Sequence, residues 1–372
     1  MNKIVIFHLF IKETTRAHLT FDDTDLIKNI YLVPHAYLTF DDTDSIKNIY
    51  LGPSGSNEDL FDGKKIHDIK DIYDVKKINE LVDIYKPIAV ITSTKLVEKI
   101  YPFLKEKFKS IYYIPHSYWN VLDFDKLIRD KNLFYYFTKA FIPYRYHSIL
   151  TKNEQLNYCC VQGLTQIDYL LKKINLDEKR KILHKSNKKC ILFVASYKEN
   201  EKIYNKEFAC IIKLLNKLAT KLNLKIYIKP KPQAPKSSSN IAKKQLETLK
   251  NENIEFIDPK LFMYDYFFCD LIIVQTCGTA FIESLILNKP TILCQILNHA
   301  DYIDVKKYKN ILQANDIASL SKIITTLHND NYKIENENYE NERQKYIKEN
   351  IGELENVTEK ITQTIIKDNC IL

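Results

Sequence analysis

One segment of this 372-residue chain gathers the residue types that hold phosphate. Cys269–Gln295 reads CDLIIVQTCGTAFIESLILNKPTILCQ. An apolar run leads into Gln275-Thr276-Cys277-Gly278-Thr279. Helically spaced apolar residues follow, then Asn288-Lys289-Pro290 and a second apolar run. Gly278 has no Cβ and lets backbone come close to a ligand. Thr276 and Thr279 bring hydroxyls. A helix that starts here presents unpaired N–H groups and its positive dipole end, which suits a phosphate. Glu283 comes four residues after Thr279, on the same helix face. From there it can accept bonds from a ribose or sugar hydroxyl. The competing reading is an ordinary strand–turn–helix with a solvated Glu283.

Three further places carry chemistry-bearing side chains. His116 follows the apolar run Ile111–Pro115, at the expected carboxyl end of a strand. Histidine suits general-base work near neutral pH, here removal of a proton from an attacking hydroxyl. The alternative is a hydrogen-bonded loop histidine. Lys229-Pro230-Lys231-Pro232 ends another apolar run. Its prolines stiffen the loop, and Lys229 and Lys231 can neutralise a diphosphate leaving group, unless both are simply solvated. Lys198, after the run Cys190–Ala195, is one more candidate phosphate contact or a solvated loop lysine.

These residues need a scaffold that brings strand ends together. Short apolar runs alternate with helically spaced segments along the whole chain, the pattern of parallel sheets covered by helices. Expected strands include Pro87–Thr92, Ile111–Pro115, Ala140–Ile142, Tyr158–Gln162, Cys190–Ala195, Leu224–Ile228, Ile254–Ile257, Leu271–Val274 and Thr291–Cys294. Expected helices include Ile66–Tyr85, Lys95–Lys107, Glu207–Leu222, Ile241–Asn251, Thr279–Leu287, Ala318–Leu327 and a long polar one over Asn338–Lys367. Two βα series in succession imply an α/β fold of two Rossmann-like domains facing a cleft. They span residues 1–170 and 171–335, and a C-terminal helical segment occupies 336–372. In open parallel sheets ligands bind beyond the carboxyl ends of strands, so the cleft is the expected site.

Length and composition agree with two globular domains. The net charge is +8, scattered along the chain. It suits attraction to phosphates or to an anionic membrane surface, or a merely solvated basic surface. No aromatic–Arg pattern for nucleic acid stands out, so no nucleic-acid partner is expected. Eight cysteines form no CxxC pair and no Cys/His set at metal spacing. They point to a reducing, cytoplasmic setting. Ile4–Ile11 reads as a buried first strand rather than a signal peptide. No apolar stretch is long enough for a membrane span. One tandem repeat is plain: Ala17–Pro34 and Ala36–Pro53 match at fifteen of eighteen positions with an offset of 19. Two copies do not make a solenoid, and a duplication tolerated near the surface is expected. Adjacent carboxylates Asp22-Asp23 and Asp41-Asp42 on an extended segment point to opposite faces, which argues against a metal site.

The motifs, in this order, resemble the CDP-glycerol glycerophosphotransferase family and, more broadly, transferases of the two-Rossmann-domain GT-B fold. Ile114-Pro115-His116-Ser117 is similar to the family's strand ending in His-Gly. Gly163–Asp168 is similar to its Gly-x-Pro-Arg-x-Asp linker, with Thr165 and Gln166 departing. Ser196-Tyr197-Lys198 looks like its Thr-Trp-Arg, and Lys229-Pro230-Lys231-Pro232 like its Lys-Pro-His-Pro. Thr276–Thr279, Glu283 and Asn288-Lys289-Pro290 look like its last run. The resemblance implies His116 and Lys231 as catalytic. It implies Lys198, Lys229, Thr276, Gly278, Thr279 and Glu283 as donor-binding. The substrate would be a nucleotide-activated donor, with no separate cofactor and no required metal. The acceptor would be a polysaccharide or lipid-linked hydroxyl in surface-polymer synthesis, reached in the cytoplasm or peripherally at the inner membrane face. Lys231 stands where the family has His. Lysine holds phosphate charge but is no base near pH 7 without a perturbed pKa, so glycosyl transfer is as open as glycerol-phosphate transfer. Two alternatives share the fold: a UDP-N-acetylglucosamine 2-epimerase-like isomerase, and a non-catalytic paralogue.

Overall fold

The computed structural model describes residues 4–9, 27–32, 49–52, 66–68, 75–87, 89–92, 97–114, 137–142, 144, 159–161, 188–195, 202–229, 251–257, 269–275, 277–296, 305–352 and 354–369. The chain divides into two compact units. One is Met1–Lys172 together with Lys348–Leu372, and the other is Lys173–Ile347.

The first unit holds an eight-stranded parallel sheet. Its strands are β1 (Ile4–Leu9), β2 (Ile27–Leu32), β3 (Ile49–Gly52), β4 (Ile66–Asp68), β5 (Ala89–Thr92), β6 (Ser110–Tyr113), β7 (Lys139–Ile142) and β8 (Cys159–Val161). The order is β4-β3-β2-β1-β5-β6-β7-β8. Helix α1 (Val75–Tyr85) leads into β5, and α2 (Val97–Lys107), with Pro102 inside it, leads into β6. The helix expected over Ile66–Tyr85 is therefore shorter. Ile66–Asp68 instead joins the sheet edge, where pairing with Tyr50–Gly52 employs its backbone groups. The tandem repeat also enters the sheet. Its two copies supply β2 and β3, and their ladder pairs Ile30 with Ile49, Tyr31 with Tyr50 and Leu32 with Leu51. Each pair is separated by the repeat offset, so equivalent residues of the two copies sit opposite one another.

The second unit holds β9 (Cys190–Val194), β10 (Lys225–Lys229), β11 (Ile254–Phe256), β12 (Leu271–Val274), β13 (Thr291–Cys294) and β14 (Gln313–Ala314). All pairs are parallel, in the order β11-β10-β9-β12-β13-β14. Chain direction across the sheet thus reverses between β9 and β12, the place where doubly wound sheets open a crevice. Strands β12 and β13 are buried at every position. That accounts for their continuous apolar runs, since both faces are covered. One face packs Ile191, Phe193, Ile226, Ile228, Leu271, Ile273 and Ile292 against α3 (Lys202–Lys221) and α5 (Ile317–Asn329). Helix α4 (Thr279–Ile286) contributes nothing to that cluster. The right-handed β12–α4–β13 crossover puts it on the other face.

Asparagine, abundant in this chain, stops three of these helices in the same way. Asn223, Asn288 and Asn331 adopt left-handed backbone after α3, α4 and α5, with φ of 52°, 51° and 54°. The next residue then donates back into the last turn: Leu224 N to Ala219 O at 3.0 Å, Lys289 N to Ser284 O at 3.0 Å, and Tyr332 N to Leu327 O at 2.6 Å. This is the Schellman arrangement, for which Asn is the usual substitute for Gly. At the other end of α5, Asp316 caps the helix by accepting from Ser319 N at 2.6 Å.

The polar C-terminal stretch is two helices rather than one. They are α6 (Glu337–Asn350) and α7 (Val357–Asn369). Left-handed backbone at Gly352 and Asn356 breaks the run between them. The end of α7 returns to the first unit. Ser110 Oγ donates to Asn369 Oδ1 at 2.7 Å, and Asn369 Nδ2 donates to the Tyr112 hydroxyl at 2.9 Å. Lys139 Nζ meets Asp368 Oδ1 at 2.6 Å. Ser110 and Lys139 open β6 and β7, so this clasp sits at the amino ends of the strands, away from their carboxyl edge. Among the described residues no helix is long and apolar enough to cross a membrane.

Candidate functional site

The candidate site of the second unit lies at the β9/β12 reversal. Val194 and Val274 pair across the two central strands. Lys229 pairs with Val194, and Leu293 with Val274. These four residues form one row at the carboxyl edge of the sheet. Just beyond it, β12 gives way to the Gln275–Gly278 turn and then to α4.

Gly278 stands at the N-cap of α4 with φ −116° and ψ −172°, and no side chain caps the helix. This backbone is open to any residue, so Gly278 is not needed for a left-handed turn. What it offers is the absent Cβ, which leaves room directly over the helix end. The Gly278 carbonyl takes Phe281 N at 3.0 Å and Ile282 N at 3.3 Å. The first amides of α4 have no acceptor inside the helix. The helix end also carries about half a positive charge.

The opposite end of α4 is sealed. Arg343 of α6 is buried and donates through Nη1 to the Leu285 carbonyl. It is itself held by Glu340, with Nε to Oε2 at 2.7 Å and Nη2 to Oε1 at 2.6 Å. That two-pronged bond holds the Glu340 carboxyl down to about 2. Tyr346 is wholly buried one turn further along α6. Its ring meets Phe281 at 5.6 Å and Tyr308 at 5.0 Å, and its hydroxyl lies 3.7 Å from Cys277 Sγ. The polar-looking α6 is therefore a brace for α4 and for the turn before it.

The candidate residues fall in two groups. His116, Lys198, Lys231 and Thr276 lie outside the described residues. Lys229, Gly278, Thr279 and Glu283 lie within them. Lys229 is the last residue of β10 and is buried, which rules out a solvated turn lysine. By strand alternation it points to the α4 side of the sheet. Two strand spacings, about 10 Å, separate β10 from β12. Thr279 opens α4. Glu283 is wholly buried one turn into the helix, so it is not a surface carboxylate. Asn288-Lys289-Pro290, grouped with the site in the sequence, has a structural part. Asn288 stops α4, Lys289 Nζ reaches Cys269 O at 3.3 Å, and Pro290 O accepts from Ile272 N at 2.9 Å.

A buried polar pair lies behind the turn. Glu207 of α3 is wholly buried, and Gln275 Nε2 donates to its Oε2 at 2.9 Å. Burial pushes the Cys294 thiol up, with the Glu207 carboxylate adding to the rise. Burial likewise pushes Cys190 up to about 11, and Asp270 adds to the effect. Both are protonated at neutral pH and act as small core residues. No three His, Cys, Asp or Glu among the described residues are grouped to hold a metal.

No protein-family model matches the chain, and no curated protein matches it either. Solved structures do. An S. aureus MnaA–UDP co-structure is 14% identical, with a TM-score of 0.62, over 98% of this chain and 96% of that one. The UDP-GlcNAc 2-epimerase from Neisseria meningitidis bound to UDP-GlcNAc is 14% identical, with a TM-score of 0.62, over 99% and 100%. A glycosyltransferase from Rickettsia africae is 15% identical, with a TM-score of 0.53, over 99% of each chain. At these identities the likeness shows the fold, an α/β fold of the GT-B type with two Rossmann-like units.

Proposed function

We propose that this chain is an enzyme acting on a nucleoside-diphosphate sugar, and that it isomerises the sugar in the manner of a UDP-N-acetylglucosamine 2-epimerase. The observation that carries the reading is the Gly278 turn. It lies at the strand reversal of a doubly wound sheet, opens onto the amino end of α4, and belongs to a helix braced from behind by Arg343 and Tyr346. A diphosphate there meets backbone N–H groups and a positive dipole without displacing a side chain. Lys229 lends positive charge at the same edge. Glu283, one turn along, is the residue for a ribose hydroxyl. Full-length likeness to structures holding UDP and UDP-GlcNAc supports uridine as the base and an N-acetylated hexose as the sugar.

Group transfer is the second reading. The motif order from His116 to Pro290 and the likeness to the R. africae glycosyltransferase favour it. In that case His116 takes the proton from an acceptor hydroxyl, while Lys229, Lys231 and the α4 terminus stabilise the departing diphosphate. One experiment separates the two. The protein is incubated with UDP-GlcNAc and no acceptor, and products are followed by proton NMR. Isomerisation predicts a new anomeric signal from a second UDP-sugar. Unchanged substrate that is consumed only when a polysaccharide acceptor is added favours transfer.

A further inference from the structure

We infer that Glu207 and Gln275 are positioning residues for the nucleotide site, a role that rests on the reading of the Gly278 turn given above. Helix α3 buries one stripe, and Glu207 occupies it one turn before Ile211. The stripe is otherwise apolar. A carboxyl group there loses its hydration, which is costly unless the group is firmly bonded. One of its bonds is to Gln275, the first residue after β12 and three residues before Gly278. Gln275 is also wholly buried, and its backbone N–H donates to Val194 O at 3.3 Å across the strand reversal. The main chain therefore pins Gln275 to β9, and the side chain pins it to α3. Both tethers act at the point where the strand must leave the sheet and deliver Gly278. Replacing both partners of a buried polar pair by apolar groups of similar shape can be nearly neutral or stabilising. A polar pair here thus sets a direction for the chain rather than adding to stability.

The test compares Glu207→Gln with the double variant Glu207→Leu/Gln275→Leu, reading melting temperature, hydrogen exchange over residues 275–282 and calorimetric affinity for UDP. The amide in Glu207→Gln still offers an oxygen to Gln275, so wild-type exchange and affinity are expected. The double variant is expected to keep its melting temperature, exchange faster over the turn, and bind UDP at least about tenfold more weakly. Wild-type exchange over the turn in a stable double variant overturns the positioning role. If the unaltered protein fails to bind UDP, the nucleotide reading falls, and the exchange comparison still decides whether the pair directs the turn.

A second inference stands on the first unit alone. The geometry points to β2 and β3 as interchangeable strands. Residues 27–32 and 46–51 share the sequence IKNIYL. The first copy pairs with β1 along six residues, and the second pairs with β4. Over IKNIYL either copy has the sequence for both ladders, and only Gly52, paired with Asp68, is replaced by Val33 in the first copy, so a sheet of seven strands can close on one copy without the other. A proline within a covered strand normally removes a ladder bond and is not tolerated. Tyr31→Pro and Tyr50→Pro are each expected to fold with melting temperatures within a few degrees of the parent. The variant carrying both is expected to lose cooperative unfolding of the first unit. If either single variant collapses as the double does, or if the double is as stable as the singles, the interchange is refuted.

Discussion

Gly278 is marked in the sequence by its missing Cβ, and the structure sets it at the N-cap of α4. Its neighbours Thr276 and Thr279 and the helical run behind them mark a turn that can take a phosphate. The backbone angles show that room, rather than unusual dihedral freedom, is what glycine supplies. Glu283 was legible as a residue of the same helix face, but its complete burial was not, because a charge four residues into a helix ordinarily faces water. Glu207 carries a signal in the sequence itself. It falls on the apolar stripe of α3 with Ile211 and Leu218, where a charge is out of pattern. At this scale the prediction concerns His116. If it serves as general base in transfer, His116→Ala lowers turnover about 100-fold or more while UDP affinity stays unchanged. Unaltered turnover with UDP-GlcNAc and acceptor removes it from the mechanism.

Buried parallel strands announce themselves because both faces are covered. Leu271–Val274 and Thr291–Cys294 have the same bounds in sequence and structure. Elements that rely on few or mixed residues do not. Strand β14 has only two residues, and β2 and β3 come from the half-polar IKNIYL. Helix α6 reads as polar, yet Tyr339, Arg343, Tyr346 and Ile347 are buried at helical spacing. Besides Ile347, this face is made of tyrosines and one paired arginine, residues that ordinarily reach the surface. The brace makes a pH prediction. The folded-state pKa of Glu340 is lowered from 4.5 to about 2. Its contribution is present above pH 4.5 and is lost as pH falls toward 2. Glu340 is half-exposed, so solvent screening keeps the contribution small. Glu340→Gln should lower the melting temperature at pH 7 and narrow its gap to wild type near pH 2. A gap that is constant with pH would mean the pair adds nothing through charge.

Across the molecule, two doubly wound parallel sheets were readable from the alternation of apolar runs and amphipathic helices. The return of the chain end was not. Residues 348–372 count with the first unit, joined through Asn369, Asp368, Tyr112 and Ser110. These partners lie more than two hundred residues apart, and no local pattern links them. Asn369→Ala removes the partner of a buried hydroxyl, which costs about 1–3 kcal/mol. It should lower the melting temperature of the first unit and leave unchanged the UDP affinity that the proposal assigns to the second. A parallel fall in affinity would contradict that division.

The account depends on a diphosphate resting against Gly278, and Gly278→Val tests this most directly. Valine accepts the backbone angles found there, so the variant should fold with its melting temperature intact, while the new side chain fills the space over the helix end. Calorimetric titration with UDP should show binding by the parent protein and a loss of about 100-fold or more in the variant, roughly 2.7 kcal/mol. Equal UDP affinity in the two proteins would contradict the site.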